Sequence, residues 1–275
     1  RGSLFKHSSR AAFEAALFLH VDASWDPDGR RHRRRGSRLP PGSGRLLAHD
    51  PDLDLEGLDV HPEVAFESSS VTEDEVPVDD VRGCRVLWMS QGALALGATA
   101  ESSFAWLELR GRSDDRDTVL DLDYRPTMWS SVHEARAAAQ RAIGQSSVVV
   151  GNRTECEMAV GLDEPDAIVD DLLGRGVRLA IVKLGGGGVL VADNSDRVRI
   201  DPLDIDVLCG LGAGDAFGGA LVHGLLSGWD LERIGRFANG AGAYVATQLT
   251  CADAMPTTTM VDEVVEHGGT RGLQE

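Results

Sequence analysis

The densest chemistry in this sequence lies at Gly212-Ala213-Gly214-Asp215, at the head of an apolar-periodic run over 216–226. The small residues at 212–214 allow a tight turn and close approach of backbone. The run after them reads as a helix. The N–H groups of the turn and of the first helical turn then converge on one point, and the helix dipole adds positive potential there. Such a point takes an anion, phosphate above all. Asp215 stands at its rim, and a carboxylate beside an anion hole points to phosphoryl transfer with Asp215 as the base. The plainer reading has Asp215 capping the helix and the glycines easing its packing.

Three other stretches could share in that chemistry. Asp121, Asp123 and Arg125 alternate at the end of the run 118–123 and would share one face of a regular strand. An Arg there can clamp a phosphate or carboxylate through two parallel hydrogen bonds, or can simply pair with a neighbouring Asp. Asn152 and Glu155, three apart after the run 147–150, fit a capped helix start. Their functional reading turns Glu155 toward phosphates through Mg²⁺ and water. Lys183 is followed by Gly185, Gly186, Gly187 and Gly188, where bare backbone could lie against a nucleotide or form an ordinary turn.

The elements that must hold these residues are legible around them. Short β-rich runs at 85–89, 118–123, 147–150 and 179–183 predict strands, and 188–192 with 197–200 predict a hairpin about 193–196. Helices are expected over 99–109, 131–143, 152–160, 165–173, 214–226 and 231–249, with Ser131 and Glu134 spaced as a capping box. Strands alternating with helices predict βαβ units and an α/β fold with a mostly parallel sheet. Ligands of such sheets sit off the carboxyl ends of the strands, where all four stretches fall.

Composition narrows the partners. The 275 residues carry a formal net charge of -17, which argues against nucleic acid or an anionic membrane as a partner of the whole chain. The charge is uneven: residues 1–50 hold ten basic and five acidic side chains, and the remainder holds 17 and 39. Residues 22–50 have no aromatic residue between their arginines at 30, 31, 33, 34 and 35, and they read as a poorly ordered segment rather than a nucleic-acid patch. The expected division is an atypical basic segment 1–50 and a partial catalytic domain 51–275. The apolar run 11–21, broken by Glu14 and His20, is too short to span a bilayer, and no small-residue cleavage site follows it. Cys84, Cys156, Cys209 and Cys251 are too scattered for a zinc site or a disulfide framework, which favours a reducing cytoplasm.

Taken in order, these motifs resemble the ribokinase-like (PfkB) family of carbohydrate kinases. Gly212-Ala213-Gly214-Asp215 matches the centre of its second signature, Asn152 and Glu155 its N-x-x-E motif, and Lys183 with Gly185 its Lys-x-Gly turn. Residues 121–126, 151–157, 210–220 and 251–257 look most like the branch that phosphorylates 5-dehydro-2-deoxy-D-gluconate in myo-inositol catabolism. The resemblance covers about residues 80–265. It implies a three-layer α/β/α sandwich, ATP with Mg²⁺ as cofactors, and transfer to a primary hydroxyl of a sugar or sugar acid. It implies Asp215 as base, Gly212, Ala213 and Gly214 as anion hole, and Arg125 near the substrate or γ-phosphate, with Asp121 and Asp123 on the substrate side. Asn152 and Glu155 would meet Mg²⁺ through water. Lys183, Gly185, Gly188, Asn239 and Gly242 would border the nucleotide, and a homo-oligomer is compatible with it.

Two departures stand out. Cys209 replaces the usual Asp or Asn beside a monovalent-cation site, and a thiol is a poor ligand for K⁺, so K⁺ activation is doubtful. The family's first strands, its Gly-Gly sugar motif and its lid have no counterpart in residues 1–50, which implies an N-terminally truncated kinase with an incomplete sugar side. Competing expectations are a non-catalytic nucleotide-binding remnant and a kinase for a related acid such as 2-dehydro-3-deoxygluconate. A dinucleotide-binding oxidoreductase fits less well, because its glycine fingerprint should open the first βαβ unit and here the glycines come late.

Overall fold

The computed structural model describes residues 78–250 and 252–270. The basic segment 1–50, the acidic stretch up to residue 77 and Cys251 lie outside the described residues.

The described chain opens with a short helix, α1 (Val78–Gly83), and then alternates strand and helix. The order is β1 (Val86–Ser90), α2 (Gly97–Arg110), β2 (Asp117–Asp121), α3 (Val132–Ile143) and β3 (Val148–Asn152). Two helices, α4 (Arg153–Val160) and α5 (Pro165–Gly174), lead to β4 (Leu179–Lys183). A hairpin of β5 (Val189–Asp193) and β6 (Arg197–Ile200) follows, then α6 (Ala213–Ser227), α7 (Leu231–Ala246) and α8 (Thr258–Glu266). The six strands lie in sequence order, β1 to β4 parallel and β4 to β6 antiparallel.

That order dictates the layers. Right-handed crossovers that always step the same way along a sheet put all their helices on one face. Helices α2 to α5 accordingly bury Trp106, Leu107, Ile143, Ile168 and Leu172 with Leu87, Met89, Leu120, Val149 and Val182. The other face, lined by Trp88, Val119, Val150, Ile181 and Val191, is covered by Phe217, Leu221, Phe237 and Val261 of α6, α7 and α8. With both faces covered, β1 to β5 are buried at four of five positions, which is why they read as continuous apolar runs rather than alternating ones. The expected three-layer α/β/α sandwich is what forms.

Differences from the sequence reading fall at element ends. β2 stops at Asp121, so Asp123 and Arg125 lie beyond the strand and do not share its face, correcting the expectation of a regular strand to 123. Leu122 still donates its N–H to Val150 C=O at 2.8 Å, after which the chain turns toward Pro126. α7 ends at Ala246 rather than 249, because Thr247 turns its Oγ1 back onto Tyr244 C=O at 2.7 Å. The capping box at Ser131 is half formed: Ser131 Oγ accepts from Glu134 N–H at 3.2 Å, but the Glu134 carboxylate takes the Ser130 hydroxyl instead.

Candidate active site

Parallel register brings the ends of β1 to β4, which are Ser90, Asp121, Asn152 and Lys183, to one end of the sheet. The hairpin returns there too, since Val189 pairs with Lys183 and Ile200 with Val189. α6 starts above the same end. A Cβ placed on Gly214 would lie 4.0 Å from Lys183 Nζ.

The turn into α6 is built on glycine. Gly212 is the N-cap residue at φ +83°, a left-handed backbone that favours glycine, and no side chain caps the helix. Ala216 N–H donates to Gly212 C=O at 2.9 Å. The N–H groups of Gly214 and Asp215 come before any intrahelical acceptor and point out of the helix end. Asp215 is in the first turn and open to solvent on one side. Its inner side lies against the strand ends, and that partial burial raises its carboxyl pKa, with Asp123 adding and Arg125 and Lys183 opposing. Asp215, Asp123, Arg125 and Lys183 therefore sense one another electrostatically, although they come from three separate segments.

The loop after β2 carries Arg125, which pairs with Asp123 at 2.7 Å and remains exposed. Asp121 itself is buried, and its Oδ1 has no hydrogen-bond partner. Burial pushes its carboxyl up to about 6 against the pull of Lys183, and Glu155 and Asp123 push in the same direction as burial. Lys183 Nζ lies 3.9 Å from that orphaned oxygen and 5.8 Å from the centroid of the Phe217 ring.

Asn152 and Glu155 form a reciprocal capping box at the start of α4. Glu155 N–H donates to Asn152 Oδ1 at 2.9 Å, and Asn152 N–H donates to Glu155 Oε2 at 2.7 Å. Glu155 is buried at the site's floor. Among the described residues no group of three or more His, Cys, Asp or Glu side chains is placed to hold a metal ion. Magnesium needs no such cage: it keeps waters and takes one or two carboxylates plus phosphate oxygens. The anchored Glu155 carboxylate fits that smaller demand.

The residues expected along a nucleotide divide in two. Gly185, at φ +57°, and Gly186 have open space where a Cβ would stand. The others have tasks inside the fold. A Cβ on Gly188 would fall 1.9 Å from Ile200 O, so the hairpin requires glycine there. Asn239 Nδ2 donates to Asp201 C=O at 3.2 Å, and a Cβ on Gly242 would come within 3.1 Å of Ala213 O, where α7 packs under the turn into α6. Cys209 N–H donates to Ala246 C=O at 3.1 Å, fixing the loop that leads into the turn. Phe217 and Trp88 escaped the sequence reading, since each looks like an ordinary core residue. Gly218 was the available signal: a Cβ there would fall 2.7 Å from the Trp88 ring, so only glycine lets α6 settle this low on the sheet.

Comparison with known proteins places this geometry. Residues 70–258 match the model of the pfkB family carbohydrate kinases. The 5-dehydro-2-deoxygluconokinase of Shouchella clausii is 28% identical over 199 residues, covering 71% of this chain and 61% of that protein. That of Clostridium tetani is 26% identical over 205 residues, covering 70% and 60%. The chain thus spans about 60% of the length of these curated relatives. Among solved structures, an E. coli protein assigned as a ribokinase II, determined with ATP and Mg²⁺, superposes with a TM-score of 0.65 at 18% identity. That match covers 71% of this chain and 63% of the other. The fructokinase of Vibrio cholerae O395, solved with fructose, ADP and calcium, gives a TM-score of 0.61 at 24% identity, covering 68% and 64%. These likenesses share the α/β architecture described above, and with the family match over more than half of its length the chain belongs to the pfkB family of carbohydrate kinases.

Proposed function

We propose that this chain transfers the γ-phosphoryl group of ATP to a primary hydroxyl of a sugar acid, with 5-dehydro-2-deoxy-D-gluconate as the acceptor. The catalytic unit lies within residues 51–275, as read from the sequence. The observation that carries the proposal is the meeting of Asp215 and the uncapped start of α6 with Lys183, Asp123 and Arg125 at one sheet end. The relatives named for this acceptor support its identity, and the ATP and Mg²⁺ of the E. coli structure support the cofactor pair.

Asp215 takes the proton of the attacking hydroxyl. Its raised pKa makes it a stronger base than an ordinary aspartate, and general base catalysis is worth about 10²–10⁴-fold. The turn 212–214 faces the charge that develops on the transferred group; Gly214 N–H is the outward donor there, while Ala213 N–H already donates to Gly210 C=O at 3.3 Å and would have to share that bond. Arg125 exchanges or shares its Asp123 partner with the acceptor's carboxylate or the γ-phosphate. Asp121 and Asp123 bound the acceptor side, and Gly185 and Gly242 lie along the nucleotide. Mg²⁺ when bound neutralises phosphate charge and aligns the transferred group; Glu155, held by Asn152, and Asn152 are the residues that would hold it through water. The Cys209 thiol offers K⁺ no oxygen, so turnover should be unchanged when Na⁺ replaces K⁺ in the assay.

The decisive measurement is ADP release, coupled to NADH oxidation, with 5-dehydro-2-deoxygluconate and, separately, 2-dehydro-3-deoxygluconate. Faster turnover of the first supports the proposal, and preference for the second redirects it to the related acid. ATP binding without turnover of either acid would leave the nucleotide-binding remnant.

A further inference from the structure

Helix α6 carries Asp215 and begins at the anion turn, while Asp123 and Arg125 stand on a separate segment, the loop after β2. The gap between these two halves is set by whatever fixes α6 on the sheet. The chain at β1 holds it at two points. Arg85, just before β1, donates from Nη2 to Leu226 C=O at 2.8 Å near the far end of α6. Trp88, in the middle of β1, lies under Gly218. A Cβ on Gly218 would fall 2.7, 2.9 and 3.5 Å from Cη2, Cζ2 and Cζ3 of that ring. The spans match: three strand residues cover about 10 Å and eight helix residues about 12 Å, so α6 runs back along β1. The ring has no room to yield. Trp88 is 9% exposed and pairs with Val119 of β2, which is buried on the same sheet face. The helix is held from its other side too. A Cβ on Gly242 of α7 would come within 3.1 Å of Ala213 O, and a Cβ on Gly224 within 2.9 Å of Ile234 Cγ1. Gly218 follows Asp215 by three residues, less than one turn, so a lift at the ring passes directly to Asp215 and Gly214.

We infer that Trp88 is a positioning residue for phosphoryl transfer: through Gly218 it sets the height of Asp215 and Gly214 N–H over the sheet end, and so the gap between phosphoryl group and hydroxyl. This role rests on the phosphotransfer reading above. The ring itself meets no reacting atom. A methyl group at 218 needs about 3.5–4.0 Å from an aromatic carbon, so the first turns of α6 must rise by about 1 Å. ATP keeps its backbone donors, because they move with the helix. The acceptor keeps Arg125, because that loop does not move. Both substrates bind, but they no longer meet in line. Misplacement by about 1 Å can cost about 10²-fold in rate.

The test measures kcat and KM in the coupled assay, with urea midpoints beside them, on the full chain. The proteins are the unaltered chain, Gly218→Ala, Gly219→Ala and the double variant Gly218→Ala with Trp88→Phe. Gly219 is the control: it gains the same helix propensity, and there is open space where its Cβ would stand. Gly218→Ala should lower kcat about 10- to 100-fold, with KM for ATP and for the sugar acid within about threefold of the unaltered values. Gly219→Ala should keep the unaltered kcat. In the double variant the shorter phenyl ring makes room for the methyl group, and kcat should return to within about threefold of the unaltered chain. A merely structural contact would lower the urea midpoint of Gly218→Ala and leave the kcat of its folded fraction intact. Equal kcat in Gly218→Ala and Gly219→Ala overturns the role of Trp88, as does a double variant no more active than Gly218→Ala. Should Gly218→Ala fail to fold, Trp88→Phe alone decides. Without the full ring α6 loses its stop, and kcat should fall about 3- to 10-fold at unchanged KM; full kcat overturns the role. These outcomes leave the kinase reading in place, whereas absence of ATP-dependent turnover of either acid by the unaltered protein overturns both.

Discussion

The two ends of this sheet are both rich in charge, and they treat it in opposite ways. At the amino end of the parallel strands, a cavity of about 490 Å³ is lined by Asp117, Asp193, Asp196, Asp230, Arg178 and Trp229, among others. Charge there is spent on the fold. Asp117 pairs with Arg178 and accepts from Ser147 Oγ at 3.3 Å. Asp193 Oδ1 accepts from Ser195 N–H and Asp196 N–H at 2.7 and 2.8 Å, and Asp230 caps α7 through Arg233 N–H at 2.8 Å. Nearby, Arg110 donates to Arg82 C=O and Cys84 C=O, each at 2.8 Å. At the carboxyl end, Asp121 Oδ1 and the Lys183 ammonium have no hydrogen-bond partner among the described residues, and α6 starts without a side-chain cap. A roomy cavity is therefore a poor guide here. Lone unsatisfied atoms occur elsewhere as well, at Gln91 Oε1, Ser103 Oγ, Arg110 Nε and Trp129 Nε1. What sets the carboxyl end apart is a buried carboxylate oxygen and an ammonium left without hydrogen bonds beside each other.

Substitutions at the two ends should separate function from stability. The largest effect is expected at Asp215→Asn, which keeps the shape and removes the proposed base: kcat should fall about 10³-fold in the coupled assay. ATP affinity by calorimetry should change less than about twofold, since Asp215 is not among the phosphate donors. Comparable activity in this variant would break the contrast outright. The matching substitution at the other end is Arg110→Met. It strips donors from the part-buried carbonyls of Arg82 and Cys84 and should cost about 1–3 kcal/mol, read as a lower urea midpoint with unchanged m. KM values of the surviving folded fraction should not move. A shift in KM would mean that the amino end reaches into the chemistry.

The contrast explains what the sequence could disclose. The four parallel strands were readable because both faces are covered, so Val148-Val149-Val150 and Leu179-Ala180-Ile181-Val182 run apolar without interruption. The turn at Gly212 was readable because a left-handed N-cap leaves few choices besides glycine. Arg125 resisted, because strand regularity predicts a shared face with Asp121, whereas β2 ends one residue before the chain turns toward Pro126. Asn152 and Glu155 show the reverse limit. Their spacing announces a capping box and the box is present, yet the same two residues can face a metal. Local pattern does not distinguish the two uses, which can coexist. The Lys183–Asp121 relation was invisible for a different reason: it joins residues 62 positions apart, brought together only by strand order.

Asp121 offers a third, intermediate effect, and its sign is opposite to that of an ordinary surface aspartate. Its carboxyl is raised to about 6, chiefly by burial. The folded state therefore holds the proton more tightly than the unfolded chain, whose aspartates titrate near 3.8. A raised carboxyl contributes its stability below the unfolded value and loses it as pH rises through the folded value. The ionised form then carries a penalty of about 2–3 kcal/mol at neutral pH, without nucleotide or metal. Asp121→Asn removes that penalty. Urea midpoints of the unliganded protein should fall between pH 4 and about 6 in the unaltered chain, relative to the variant, and the variant should be the more stable of the two at pH 7.5. Parallel midpoints across this range would show that Lys183 fully compensates the buried charge, which would move Asp121 into the satisfied class of the amino end.

The smallest effect is expected where the contrast is most easily mistaken, at Arg178→Met. Arg178 and Asp117 line the cavity and pair closely, so by volume and charge they resemble a site. The pair is half open to water on the arginine side, at 49% exposure. Solvent screening then limits its worth to about 1 kcal/mol or less. Asp117 also keeps the Ser147 hydroxyl when the arginine is gone, so no buried carboxylate is left bare. Arg178→Met should lower Tm by about 2 °C at low salt. In 1 M NaCl the difference from the unaltered chain should shrink toward zero, as screening removes what the pair contributed. ATP affinity and kcat should match the unaltered protein at both ionic strengths. A loss of turnover that persists in 1 M NaCl would mean that this cavity answers to a ligand after all, and the rule separating the two ends would fail at its most crowded point.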